Sequence, residues 1–142
     1  MSYIPASVQV MTMYNVDLTQ PINTTFLLGK TRHNQTFIPL AFVAEGTNIG
    51  AGITAPNISL GTIAGSYIDV ATAQPLVGWV TAFNSPPYLL AGINNVGGSP
   101  FVSIQGDTEI YLQIAVAAIG APITANVSLL GITYAAGPII GP

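Results

Sequence analysis

Apolar and polar residues alternate with a period of two along much of this chain, the signature of half-buried β-strands. Val8 to Leu18 shows it first. Val8, Val10, Thr12, Tyr14, Val16 and Leu18 share one face; Gln9, Met11, Met13, Asn15 and Asp17 share the other. Pro21 ends this strand, and a short second strand is predicted over Thr24 to Leu28. Gly29 to Gln35 is the most polar stretch and reads as a loop. Thr36 to Glu45 is a third strand whose Pro39 predicts an edge position or a bulge. A turn over Asn48 to Gly52 precedes short strands at Asn57 to Leu60 and Ser66 to Val70. Leu76 to Phe83 is a further strand, stopped by Ser85-Pro86-Pro87. Tyr88 to Asn95 reads as a strand or an irregular loop, broken by Val96 to Pro100, and Phe101 to Gln105 is short. The clearest strands come last. In Glu109 to Ala118, Ile110, Leu112, Ile114 and Val116 face one way. Ala125 to Tyr134 is predicted to pair with it through the Gly120-Ala121-Pro122 turn.

Eight or nine short antiparallel strands with turn signals every 8 to 15 residues predict an all-β chain folded as one β-sandwich or barrel. The 15 Gly and 11 Pro cut the chain into pieces too short for ordinary helices. Residues 1–134 read as a single domain with no linker or repeat. The tail, residues 135–142, has no strand pattern. It reads either as a frayed end or as a short arm that lays Ile139 and Ile140 on a neighbour.

Several strands are apolar on both faces, whereas an exposed antiparallel sheet reads apolar-in and polar-out. Beside the apolar row of Glu109 to Ala118, the other face carries Tyr111, Gln113, Ala115 and Ala117. The last strand puts Val127 and Leu129 on one side and Leu130, Ile132 and Tyr134 on the other. One reading places both faces in a sandwich core; the other packs one face on a sister subunit.

Composition favours the second. Only 2 Lys+Arg and 5 Asp+Glu occur, 5% of the residues, where a soluble domain has roughly 25%. A chain of 14.6 kDa folded alone is expected to expose about 6,900 Å². Seven charges leave about one per 1,000 Å² of that surface, which is sparse for a dispersed particle. Interface cores are depleted of charge in the same way.

The same totals exclude several functions. Two fixed cations do not make a nucleic-acid footprint. With no cysteine there is neither a disulfide nor a thiolate metal site. The opening, MSYIPASVQVMTMYN, predicts no signal peptide. The mean hydropathy of +0.60 raises a membrane question, but the best apolar run, Ile114 to Ile123, is short and holds Gly120 and Pro122. A membrane is therefore not expected as a partner. The four N-x-S/T sequons, at Asn23, Asn34, Asn57 and Asn126, fit chance in a chain rich in Asn, Thr and Ser.

Candidate chemistry is thin. The single histidine, His33, sits between Arg32 and Asn34 in the polar loop, with no nucleophile nominated beside it. Asp107 and Glu109 in Gly106-Asp107-Thr108-Glu109 resemble a β-turn more than a calcium loop. Gly29-Lys30-Thr31 imitates the end of a P-loop without its upstream glycine. No two of the five carboxylates are singled out as a glycosidase pair. No catalytic residue, cofactor, metal or small-molecule substrate is expected. The loop of Lys30, Arg32 and His33 is the one concentration of positive charge. It reads as a solvated turn or as an element that docks on an acidic partner.

One stretch resembles a known family. Phe37-Ile38-Pro39-Leu40-Ala41-Phe42-Val43, followed by Thr54-Ala55-Pro56-Asn57-Ile58-Ser59-Leu60-Gly61-Thr62, looks like small jelly-roll proteins of tailed-bacteriophage heads. Their strand ending "fIPxxvvv" leads to "tAPtxslGt", and later strands match Asp107 to Ala118 and Ala125 to Tyr134, where Gly131 and Tyr134 fit. The resemblance covers Phe37 to Tyr134 and leaves the first 36 residues outside. It implies a jelly roll, and a decoration (cement) or head-fibre-base protein. Such proteins form trimers on the outer capsid surface, with the major capsid protein as partner. On that reading the contact residues are Lys30, Arg32, His33, Tyr111, Gln113, Leu130, Ile132, Tyr134, Ile139 and Ile140. A shell-forming jelly-roll subunit and a carbohydrate-binding sandwich using Trp79, Tyr88 or Tyr67 are the alternatives, with an enzyme last.

Overall fold

The β-branched and aromatic residues form eight strands among the described residues. The computed structural model describes residues 6–48, 54–75, 88–92, 103–120 and 123–135. The strands are β1 Ala6–Asp17, β2 Thr25–Lys30, β3 Gln35–Asn48, β4 Asn57–Gly61, β5 Ala71–Pro75, β6 Tyr88–Gly92, β7 Glu109–Val116 and β8 Thr124–Ala135. The expected strand at Leu76 to Phe83, Trp79 within it, the 49–52 part of the first Gly-rich turn and the breaker at 96–100 lie outside the described residues. No helix among the described residues is long and apolar enough to cross a membrane.

Two four-stranded sheets result, which we call A and B. Sheet A has the order β1-β8-β3-β6 and sheet B the order β2-β7-β4-β5, with antiparallel pairing throughout. Except between β4 and β5, each strand is followed in sequence by one from the other sheet. This is the strand order of an eight-stranded jelly roll, as the resemblance implied.

The expected hairpin of the last two strands does not form. β7 lies between β2 and β4, and β8 lies between β1 and β3 in the other sheet. Both strands are amphipathic as expected, but their apolar rows meet across the core. Ile110, Leu112 and Ile114 of β7 and Ala125, Val127 and Leu129 of β8 are all fully buried. Alternation tells which face goes inward, not which strand lies alongside.

Three local expectations also change. In β1 the pairing register shifts between Met13 and Val16, where Asn15 takes a positive φ of 53°. An inserted residue moves every later side chain to the other face. Val8, Val10 and Tyr14 therefore point to solvent, while Met11, Val16 and Leu18 are buried. The six residues expected on one face are split between two. In β3, Pro39 does sit at a bulge, with a shift between Pro39 and Ala41, but β3 is an inner strand and not an edge. Phe37 exchanges both backbone bonds with Ile104, on the side away from β8. By alternation the Pro39 nitrogen faces that side too, so the β8 ladder loses no donor. Ser66 to Val70 is a loop and not a strand. The Asp69 carboxylate accepts the Thr62 amide at 2.7 Å, the Thr62 hydroxyl at 2.6 Å and the Ile63 amide at 3.2 Å. Such side-chain bonds draw the backbone away from a ladder, and pairing resumes only at β5.

The core between the sheets is mostly aliphatic, with Phe37 and Phe42 as its largest members. At the far end of β1, Asp17 accepts hydrogen bonds from the Thr19 amide at 2.9 Å, the Thr19 hydroxyl at 2.5 Å and the Gln20 amide group at 2.9 Å. The Thr19 hydroxyl first, then Gln20 and the Thr19 amide, hold its carboxyl below the ordinary value. A carboxylate stabilised in the fold contributes stability above its unfolded pKa of about 4 and loses it as pH falls through the folded value. In thermal melts, Asp17→Asn should therefore be less stable than wild type near neutral pH, and the gap should close below about pH 4. A gap of the same size at every pH would contradict this.

Candidate interface surfaces

The jelly roll leaves three surfaces to compare: the outer face of sheet A, the outer face of sheet B, and the end where the cationic loop lies.

The outer face of sheet A is apolar. Cross-strand register sets its rows: Val8 against Ile132 and Ile132 against Ile38; Val10 against Leu130 and Leu130 against Ala41. The next row is Thr12, Ser128 and Val43, in which the Thr12 and Ser128 hydroxyls bond at 2.8 Å. Val8 is 70% exposed, Val10 52%, Leu40 46% and Ile132 37%. Ile38, Leu130 and Tyr134 are half-buried. The only formal charges on β1, β3 and β8 are Asp17 and Glu45. A sheet face in contact with water ordinarily carries polar residues here.

The outer face of sheet B is covered in part by its own chain, although Leu27 of β2 and Ile63 and Ile68 of the covering loop stay exposed. The loop after β4 folds back over the row that pairs Gly61 with Tyr111. A side chain at Gly61 would meet the Tyr67 backbone at 2.3 Å. The Tyr67 and Tyr111 rings lie 5.1 Å apart at 50°. The Tyr111 hydroxyl donates to the Glu109 carboxylate, and that bond holds the phenol above its ordinary pKa. Gln113 and Ser59, opposite one another in the ladder, are buried.

The cationic loop joins β2 to β3 at one end of the sandwich. Its anchor is Thr31, whose hydroxyl donates to the Gln105 carbonyl at 2.6 Å and accepts the Thr108 amide at 2.9 Å. The Asp107 amide bonds the Thr31 carbonyl in turn. His33 Nδ1 lies 2.5 Å from Asp107 Oδ2, with both side chains at least half exposed. Arg32 donates to the Ser7 hydroxyl of β1 at 3.1 Å. The loop expected over Gly29 to Gln35 is shorter, since Gly29 and Lys30 end β2 and Gln35 begins β3, and the exposed Lys30 stands opposite Glu109 in the ladder.

The expected contact residues thus fall in three places. Leu130, Ile132 and Tyr134 share the bare face of sheet A. Lys30, Arg32 and His33 share the end of the sandwich where β1 begins and β8 finishes, since Ala6 pairs with Tyr134 and Gln35 with Ala135. Tyr111 and Gln113 lie on the other sheet, the first against Tyr67 and the second buried. Ile139 and Ile140 lie outside the described residues. The sequence pattern does not mark Val8, Val10, Ile38 and Leu40 as surface. Its one cue for β1 is an asparagine, a residue tolerant of positive φ, in mid-strand. No group of three or more His, Cys, Asp or Glu that could hold a metal occurs among the described residues.

No protein-family model and no curated protein matches the sequence. Solved structures do. The chain is similar to a chain of the cyanophage Pam1 capsid asymmetric unit, with 18% identity and a TM-score of 0.53, over 93% of this chain and 86% of that one. It is also similar to a chain of the capsid of Ralstonia phage GP4, with 9% identity and a TM-score of 0.54, over 95% of this chain and 86% of that one. At such identities the likeness is one of fold. The chain therefore has the β-sandwich fold found in capsid structures of two phages, in line with the resemblance to phage head proteins read from Phe37 to Tyr134.

Proposed function

We propose that this chain is a structural protein of a phage head, a decoration protein that binds the outer capsid surface as a homotrimer and stabilises the shell. It acts by adhesion, without catalysis, cofactor or nucleic-acid contact. The single observation that carries the reading is the bare apolar face of sheet A on a molecule with 7 charges over 7540 Å² of surface, roughly one per 1,100 Å². Such a surface suits contacts that are made once and kept. The fold shared with capsid chains supports the setting.

Residues 1–134 form the adhesive domain on this reading, and residues 135–142 form an arm whose Ile139 and Ile140 add contact to a neighbour. The Lys30, Arg32 and His33 end docks on carboxylates of the major capsid protein, where arginine gives bidentate contacts. Ring closure satisfies heterologous contacts among identical copies. Several docking points on one ring turn modest contacts into firm attachment. Binding the finished lattice and not its precursors stabilises that lattice by mass action. The protein is made in the host cytoplasm and ends on the virion.

The test uses heads prepared without this protein. Added back, the protein should sediment with them and raise the temperature at which they release DNA. Failure to bind, or formation of shells by the chain alone, would overturn the decoration role; the second result would identify a shell subunit.

A further inference from the structure

We infer that the outer face of sheet A is the contact between copies of this chain, closed before the protein meets any capsid. The inference deepens the assembly reading above but rests on the exposure and chemistry of this face. Val8, Val10, Ile38, Leu40, Leu130 and Ile132 form one aliphatic surface across three strands. Recognition surfaces that bind and release depend on Trp, Tyr and Arg, with Leu and Val under-represented. Permanent interfaces between copies instead resemble a domain core cut in two. This face has the second composition. Its aromatic members stand at the margins, Tyr134 in β8 and the exposed Tyr14 at the β1 bulge, and β1, β3 and β8 contain no lysine or arginine.

Size agrees. At about 4.8 Å between strands and about 3.3 Å per residue, three strands over seven or eight residues make a patch of roughly 350 Å² in plan. That lies within the range of about 300–600 Å² for the largest patch on a soluble monomer, a patch that is often functional, and it suits the apolar core of an interface of about 800 Å² per partner. β1 is also the edge of sheet A. From Ala6 to Met13 it carries none of the Lys or Pro that guard an open edge. A capsid is met only after the chain has been free in water. The occupant available from the moment of folding is another copy; the charges on these strands are only Asp17 and Glu45, and the net charge of −3 for the whole chain opposes the contact only weakly.

The experiment measures mass in native buffer for the full chain and two double variants. Wild type should run as a multimer of the 14.6 kDa chain. Val8→Glu with Val10→Glu alters side chains that are 70% and 52% exposed, so circular dichroism should be unchanged while the mass falls to that of a monomer. Lys30→Glu with Arg32→Glu should keep the multimer. A second measurement does not depend on the glutamate variant folding. The chain has no cysteine, so single thiols can be placed at Val8→Cys and at the exposed Ala73→Cys of β5. The thiol at position 8 should react with a maleimide about tenfold slower, since it reacts only from the opened fraction. A monomeric wild type, a multimer that survives both glutamates, or equal thiol rates would overturn the inference. A multimer broken by the glutamates that ignores capsids would uphold it and sink the capsid role.

Discussion

Replacing Gly131 with valine is expected to lower the melting temperature by about 10 °C or more, the scale set by roughly 3 °C per kcal/mol for a domain of this size. Gly131 sits on the inner face of β8, opposite Gln9 on one side and Pro39 on the other. A Cβ there would stand 2.4 Å from Cε2 and Cζ of the Phe37 ring and 2.5 Å from the Ile38 carbonyl oxygen. Phe37 is fully buried, and no other residue type gives its ring this room. Displacing the ring forfeits packing on the scale of truncating a buried Phe, about 3–5 kcal/mol. Holding the ring in place forces the clash onto the β3–β8 ladder. Total stability of such domains is only about 5–15 kcal/mol, so either outcome is severe. A melt within about 3 °C of wild type would show that the ring does not depend on this glycine.

Gly61→Val should cost about 3 kcal/mol or more, by a different route. The obstructing atoms are backbone: the Tyr67 carbonyl carbon at 2.3 Å and its Cα at 2.4 Å, with Asp69 Oδ1 at 2.5 Å. Backbone cannot swing aside as a ring can, so the loop over sheet B must lift. Lifting breaks the three bonds that Asp69 accepts from Thr62 and Ile63. Hydrogen bonds to a charged group are worth about 1.5–3 kcal/mol each, less where solvent can replace them. The Tyr67–Tyr111 contact goes with them. The variant should melt earlier and be cut by chymotrypsin after Tyr67 far faster than wild type, because local opening controls such cleavage. Gly65, in the same loop, would meet nothing within 4 Å of an added Cβ, but its φ of 94° is left-handed. Gly65→Ala should therefore pay only the backbone strain, about 1–2 kcal/mol, and raise the cutting rate much less than Gly61→Val. Equal cutting of Gly61→Val and wild type would mean that the loop is not held as described.

These two glycines show what the sequence could and could not convey. Gly61 and Gly131 were visible as members of a phrase shared with phage head proteins. The reasons for them, a tyrosine backbone and a phenylalanine ring brought close by tertiary folding, were not. Strand periodicity was reliable wherever one face was buried along an uninterrupted strand. In β8 Val127 and Leu129 go in, and Leu130, Ile132 and Tyr134 go out. It failed at β1, because Asn15 inserts a residue and exchanges the faces beyond it. Val8 and Val10 alternate in phase with the core residues Val16 and Leu18, although they lie on the opposite face. It was silent on strand order, so β7 and β8 read as a hairpin when each already has two other neighbours. The loop over sheet B was illegible for a related reason. Asp69 and Thr62 are seven residues apart, and nothing local announces that the carboxylate reaches back. The candidate surface was legible in outline from the shortage of charge. Its location requires knowing which side of β1, β3 and β8 the fold turns outward, which alternation alone does not give.

The measurement closest to the central claim, that sister copies cover sheet A, is the mass of the wild-type chain in native buffer at micromolar concentration. The account predicts a closed ring, three times 14.6 kDa, that does not dissociate on dilution within that range. A single species of 14.6 kDa, freely soluble and unchanged on concentration, would contradict it.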